Sequence, residues 1–376
     1  MEKEAGQKLK VLQVFGSLGM GGAESRMMDV YRSIDRNQVL FDFLALSTEE
    51  NQHYEEEIQN LGGKIIKISS PREVGLLRHL KTLRKILKDG GYQAVHAHTS
   101  YHCGLVMYVA KKEKIPVRIS HARTTGSKQT NKLKGLFLRF GRWLINRYST
   151  NKFAISKQAG DFLFGKSAYE VVPNAIDLRK YYDAKNHSFA LRDEWGATQE
   201  TIVLGQIGRF DTMKNHAFSI KWFAEFQKKQ QNSLFVFVGD GTLREEIEKQ
   251  CDEAGLEEKT RFLGVRTDVP QILSALNVLF FPSKFEGLGG VVLEAQAAGV
   301  PVVESNVIPE ETDLGLQLIE KVSLDAPLLD WDNAVMRSLE KPLPPKEVIF
   351  GAFKERGFSL ESVTEKYLDT YKGKTK

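Results

Sequence analysis

At 376 residues the chain is longer than a single hydrophobic core usually grows, so two domains are expected. Its composition is ordinary, 41% hydrophobic and 27% charged, and its two cysteines, Cys103 and Cys251, are too few and too far apart for a disulfide framework or a zinc site. The net charge of +5 hides an asymmetry: residues 1–178 carry 28 Lys+Arg against 17 Asp+Glu, and the remainder 25 against 31.

The first seven residues are polar, and the first apolar run, Val11–Phe15, has only strand length. Nothing approaches the roughly 20 apolar residues of a membrane span, so neither a secretion signal nor a membrane helix is read, and a reducing cytosol is the default. From Lys10 short apolar runs alternate with helical stretches: Lys10–Phe15, a Glu24–Ser33 helix, Phe41–Leu46, a Tyr54–Leu61 helix, Lys64–Ile68, a Val74–Lys88 helix, Ala94–Ala97, a Tyr101–Lys112 helix and Val117–Ser120. This is the rhythm of parallel βαβ units.

The Gly16-Ser-Leu-Gly19-Met-Gly21-Gly22 loop lies between the first strand and its helix. Its glycines bring backbone N–H groups close to an anion, although a plain tight turn explains them equally well. The spacing does not fit the dinucleotide fingerprint and no acid ends the second strand, which disfavours a nicotinamide oxidoreductase. His96 and His98 share one face of a short strand, where they read as metal ligands lacking an evident third partner or as core histidines. His121 closes the strand Ile115–Ser120 at the carboxyl edge, where open α/β sheets collect ligands. Between His121 and Gly160 no acid occurs. The cationic and aromatic segment 128–152 suits an anionic membrane surface as well as a core-facing helix. Ser156 reads as a helix N-cap that could also line a site.

Val171–Asp177 turns the chain through Pro173-Asn174, and a hinge is expected near 174–200, giving domains 1–177 and 178–357 with a terminal segment 358–376. A second series follows: Ile202–Gly208, a His216–Lys229 helix, Leu234–Val238, a Leu243–Ala254 helix, Thr260–Phe262, a Val269–Ala275 helix, Val278–Phe281, a Gly290–Ala298 helix and Val302-Val303. Arg209 and Lys214 follow its first strand, where fixed cations would favour a departing diphosphate. Val238–Gly241 reads as a tight βα turn. In the block Phe281-Pro-Ser-Lys-Phe-Glu286-Gly-Leu-Gly-Gly-Val-Val-Leu-Glu294, Glu286 falls on a loop and Glu294 on the next helix, beside N–H groups that attract anions. Asp330-Trp-Asp332 is a helix-start signal and not a metal site. Ser359 is a plausible N-cap for the last helix, with Ser362 and Glu365 as an alternative start one turn later.

Gly21-Gly22, His121, Arg209 with Lys214, and Glu286-x7-Glu294 together resemble the retaining glycosyltransferases of the GT-B fold, close in style to bacterial capsule and exopolysaccharide enzymes. The resemblance covers most of residues 9–305. It implies an α/β protein of two doubly wound Rossmann-like domains facing a central cleft, with the last helix crossing back to the N-terminal domain. It further implies that Arg209 and Lys214 hold the donor diphosphate, Glu286 the transferred sugar and Glu294 the ribose. Gly21 and Gly22 would touch donor or acceptor, His121 would contact the donor sugar, and Gly287, Leu288, Gly289 and Gly290 would line the donor. Val265 and Arg266 would meet the base through backbone atoms. The expected reaction moves a hexose or N-acetylhexosamine from a nucleotide sugar, with uridine the best prior, to a lipid-linked saccharide. It needs no metal or cofactor and no nucleic-acid partner. An epimerase or hydrolase on the same scaffold, or a non-catalytic partner subunit, are the competing readings.

Overall fold

Strands buried on both faces are written as near-continuous apolar runs, and such runs dominate both sheets. The computed structural model describes residues 8–19, 21–50, 52–124, 132–184 and 188–374, with the backbone alone for 132–134. Its first sheet contains β1 (Leu9–Phe15), β2 (Val39–Ala45), β3 (Ile65–Lys67), β4 (Ala94–Ala97), β5 (Val117–Ala122), β6 (Asn151–Ala154) and β7 (Glu170–Val171). They are ordered β3-β2-β1-β4-β5-β6-β7, and every neighbouring pair is parallel. Alternation divides the core: Val11 and Phe15 pack on one face, Leu12 and Val14 on the other.

The second sheet contains β8 (Ile202–Ile207), β9 (Ser233–Val238), β10 (Thr260–Phe262), β11 (Val278–Phe281), β12 (Val302–Ser305) and β13 (Ile319–Val322). The order is β10-β9-β8-β11-β12-β13, again all parallel. Leu234, Val236 and Val238 face one core, while Phe235 and Phe237 join Trp222 and Phe280 in the other. In each sheet the order reverses once, between β1 and β4 and between β8 and β11. Such a switch leaves a crevice outside the strands' carboxyl ends, where ligands bind in open α/β sheets.

The chain divides into two compact units, residues 1–175 with 360–376, and residues 176–359. The helix Leu360–Tyr371 packs with the first unit, burying Val363, Tyr367 and Tyr371 in the same core as Phe41 and Phe153. It begins directly after Ser359, with Glu361 in its first turn, so the earlier of the two expected starts is the one adopted.

Two local readings are corrected, and one gains a contact. The stretch expected as one helix over Val74–Lys88 is broken at Gly75, whose φ of 78° ends Pro71–Val74 and starts Leu76–Asp89. The helix expected from Tyr101 opens as a tighter 3₁₀ turn, Ser100–His102, before Cys103–Lys112. Asp332 lies inside the Leu328–Glu340 helix, where its carboxylate accepts from Trp222 Nε1 at 2.9 Å and from Lys229 Nζ at 2.7 Å. Asp330 stands in the first turn of the same helix, so the triplet marks the helix start as expected, and Asp332 adds a packing contact.

Candidate functional site

The second unit gathers charge at its switch point. After β8 the chain makes a tight excursion: the Asp211 carboxylate accepts from the Met213 and Lys214 N–H groups at 2.9 and 3.1 Å, and Asn215 adopts the left-handed conformation ahead of the His216–Lys229 helix. The loop after β11 is tied to it, since Lys284 N–H donates to the Met213 carbonyl at 2.7 Å and Asn215 Nδ2 to that of Pro282 at 3.1 Å. Lys214 therefore has a fixed origin. Its side chain runs over Gly208, where an added Cβ would meet Lys214 Cε at 3.0 Å, then over the Phe281 ring, and ends 2.7 Å from Glu286 Oε1. Both partners are largely shielded from solvent, so this ion pair is worth more than an exposed one. Arg209, by contrast, is exposed, and no hydrogen bond or ion pair of its guanidinium is recorded among the described residues.

Gly287–Gly290 leads from Glu286 into the Gly290–Ala298 helix. Gly289 caps that helix at φ 83°, ψ 54°, a conformation that an L side chain would strain. Leu288 is buried as an anchor, and Glu294 lies one turn further on, half-buried. Arg209, Lys214, Glu286, the glycine turn and Glu294 thus belong to the two strand–loop–helix steps, after β8 and after β11, that flank one switch point. Val265 is exposed after β10, and Arg266 is turned aside into a two-pronged pair with Asp268 at 2.7 and 2.6 Å. The loops after β8 and β9 interlock: a Cβ on Gly239 would sit 2.0 Å from the Gly208 carbonyl oxygen, and one on Gly241 2.4 Å from that of Phe210.

Two buried groups near this site had no sequence signal strong enough to single them out. His216 stacks on Phe210 at 4.1 Å with neither ring nitrogen hydrogen-bonded; burial, with Lys214 adding to it against the pull of Asp211, brings its pKa down to about 4. Glu304, on β12, is completely buried with both oxygens unpartnered by hydrogen bonds and Lys321 Nζ 3.9 Å away. Burial raises its carboxyl to about 8, Lys321 opposing and Asp313 adding.

In the first unit Gly21 caps the Gly22–Ser33 helix. His121 was expected to reach a donor sugar, but its side chain is fully buried beside His96, Phe153 and Tyr367 and touches solvent nowhere. What holds it is a directional chain of hydrogen bonds. Arg123 Nε can only donate, so His98 Nδ1 accepts at 3.1 Å and its Nε2–H donates to Gln13 Oε1 at 3.1 Å. Gln13 Nε2 then donates to Tyr371 Oη at 3.0 Å, Tyr371 O–H to His96 Nδ1 at 2.8 Å, and His96 Nε2–H to His121 Nδ1 at 3.0 Å. The sequence left His96 and His98 without a third partner, and His121 is that partner: the three offer ligand atoms within 4.8 Å of one another. The donor set nevertheless fits a cation poorly. Five of its six ring nitrogens are already committed, Arg123 places a fixed positive charge on the trio, and only His121 Nε2 lacks a partner. Burial first, with Arg123 contributing, holds all three imidazoles well below their usual pKa. Ser156 caps the Lys157–Phe164 helix by accepting from Ala159 N–H.

Two doubly wound parallel sheets in one chain, each with its loops gathered at the strands' carboxyl ends, define an α/β protein of two Rossmann-like units. Comparison with known proteins makes this specific. The family described as "Glycosyltransferase Family 4" matches residues 20–180, and "Glycosyl transferases group 1" matches residues 188–314. The "Putative glycosyltransferase EpsF" of Bacillus subtilis is 32% identical over 369 residues, covering 96% of each chain. The Escherichia coli "UDP-Gal:alpha-D-GlcNAc-diphosphoundecaprenol alpha-1,3-galactosyltransferase" is 29% identical over 63% of this chain and 64% of its own. Among solved structures, Anabaena Alr3699/HepE in complex with UDP superposes with a TM-score of 0.78 at 19% identity, over 98% of this chain and all of that one. The chain belongs to the group 1, family 4-like glycosyltransferases and has their GT-B fold. Among the described residues no helix is long and apolar enough to cross a membrane.

Proposed function

We propose that this glycosyltransferase moves a hexose or N-acetylhexosamine from a UDP-sugar, with retention at the anomeric carbon, to a growing lipid-linked saccharide of a capsule or exopolysaccharide. The observation that carries the reading is the second unit's switch point, where Lys214, Glu286 and the Gly290–Ala298 N-terminus converge beside exposed Arg209. Support for the donor comes from HepE, solved with UDP and also with UDP-glucose, and support for the acceptor from the diphosphoundecaprenol named in the E. coli relative.

In this reading the leaving diphosphate lies between Arg209, Lys214 and the helix N-terminus. Its charge grows as the sugar bond breaks, so fixed donors in a shielded site lower the barrier more than they tighten the ground state. Those groups take the place of a divalent metal. Glu286 fixes Lys214 and accepts from sugar hydroxyls; Glu294 accepts from the ribose. No carboxylate is assigned as a nucleophile for double displacement. The acceptor hydroxyl attacks from the face the diphosphate leaves, and a phosphate oxygen takes its proton.

The test is incubation with UDP-sugars and a lipid-linked saccharide, followed by NMR of the product's anomeric proton. A product of the donor's own anomeric configuration is expected. An inverted product contradicts retention, and release of free sugar with no transfer to any acceptor favours a hydrolase. A thermal-shift panel of nucleotides ranks donors first, since a ligand at about 100 Kd stabilises by about 2.7 kcal/mol.

A further inference from the structure

We infer that Gln206, buried beneath the second unit's switch point, is a positioning residue for Lys214; the inference rests on the reading above, in which Lys214 holds the leaving diphosphate. Gln206 is fully buried near the end of β8, in a strand, Ile-Val-Leu-Gly-Gln-Ile, with no other side chain that can hydrogen-bond. A carboxamide in such surroundings costs stability unless both of its ends are bonded.

Both ends are bonded, and in one direction only. Gln206 Nε2 donates to the Lys214 carbonyl at 2.7 Å, and Ser219 Oγ–H donates to Gln206 Oε1 at 2.7 Å. A carbonyl oxygen can only accept, so the amino group must face Lys214 and the amide oxygen must face Ser219. Ser219 is itself fully buried, the one hydroxyl in the inward stripe His216, Ser219, Ile220 and Phe223 of the helix that follows. Strand, loop and helix are thereby joined through a single side chain.

The bond falls on the peptide that decides where Lys214 points. Its N–H donates to Asp211 Oδ1 at 3.1 Å and its C=O accepts from Gln206, so the peptide groups on both sides of its Cα are held and the direction of its Cα–Cβ bond is set. The held carbonyl belongs to the peptide that leads into Asn215, which sits at φ 59°. A left-handed residue other than glycine persists only where its surroundings over-determine it. Without Gln206 that peptide is free to rotate, Asn215 can relax to negative φ, and the lysine is re-aimed. Glu286 steers the ammonium end at 2.7 Å; Gln206 fixes the backbone end. A cation fixed at both ends meets developing charge without reorganising, which is the condition for electrostatic catalysis.

The test is a double-mutant cycle on the full chain, with UDP as the probe in calorimetry. Gln206→Met has nearly the same length and removes both bonds. It is expected to weaken UDP binding about tenfold, the scale of one lost hydrogen bond, and to lower turnover under saturating donor by at least as much. In a Lys214→Ala background the same substitution is expected to change UDP affinity no further, because its effect passes through the lysine. Ser219→Ala, which frees only the far end of the carboxamide, is expected to show the same pattern at about threefold, and it decides the matter if Gln206→Met does not fold. Equal losses in both backgrounds overturn the inference and leave Gln206 a role in the unit's fold alone. Wild-type affinity in Gln206→Met beside clear weakening in Lys214→Ala also overturns it, while the donor reading stands. Unchanged UDP affinity in Lys214→Ala takes the lysine off the diphosphate and overturns both.

Discussion

The two units solve the same topological problem with opposite electrostatics. At the second unit's switch point the ionisable groups are charged, half-shielded and held on short loops, with Lys214 against Glu286 and Arg209 open to solvent. At the first unit's switch point the comparable positions are neutral imidazoles locked into one hydrogen-bond direction, beside a cavity that is more apolar than charged. A charged, preorganised site acts on charge that develops during reaction; a neutral, shape-defined one recognises a substrate's body. The same fold therefore carries two electrostatically different switch points without any change in architecture.

Substitutions that break one side should leave the other intact. The largest effect is expected at Arg209: Arg209→Ala should lower turnover under saturating donor by roughly 10²-fold or more, the usual cost of losing a transition-state donor. An unchanged turnover would remove Arg209 from the leaving-group role. Next is Glu304, which neutral burial makes a liability as pH rises. Its folded pKa, raised to about 8, lies above the unfolded value, so its stabilising contribution is complete below about pH 4.5 and is lost as pH rises through 8. Glu304→Gln should flatten that slope and raise stability at pH 8 by about 4 kcal/mol at most, at about 1.4 kcal/mol per unit of pKa shift, read by urea denaturation across pH; parallel pH profiles would contradict it.

A smaller change is expected in the neutral cluster. His121→Ala strands the His96 Nε2–H without its acceptor and should cost about 1–3 kcal/mol. UDP affinity should stay unchanged, so a loss of UDP binding with full stability would instead put His121 on the donor. The smallest effect concerns the basic segment 128–152, of which residues 128–131 lie outside the described residues. Anionic vesicles should retain the protein at low salt more than neutral ones do, and equal retention would end the membrane-surface reading.

What was legible in the sequence follows from range. Glu286-x7-Glu294 and Arg209 with Lys214 are each written within a single strand–loop–helix step, so periodicity and glycine placement alone put them on the right elements. The pairing of Lys214 with Glu286 crosses 72 residues but needs only that β8 and β11 be neighbours. The histidine cluster was not legible as a unit. Its members come from β1, β4, β5 and, through Tyr371, from a helix 275 residues beyond His96, and no local pattern encodes that closure. His121 looked like a strand-end ligand because its spacing is right; the aromatic side chains that bury it, Phe153 and Tyr367, arrive from elsewhere. Glu304 was missed for the opposite reason: one acid in Val300-Pro-Val-Val-Glu-Ser reads as a strand end, and only the neighbouring β11 and β13 make it interior. The break at Gly75 was not read, because the helix pattern resumes at once after it.

The central claim is that the charged switch point of the second unit holds a nucleoside diphosphate. Calorimetric titration of UDP into the wild-type protein and Arg209→Ala, without added metal, tests it most directly. The account predicts saturable one-to-one binding to the wild type and at least tenfold weaker binding to the variant. Equal affinity in the two, or no UDP binding to the wild type, would contradict it.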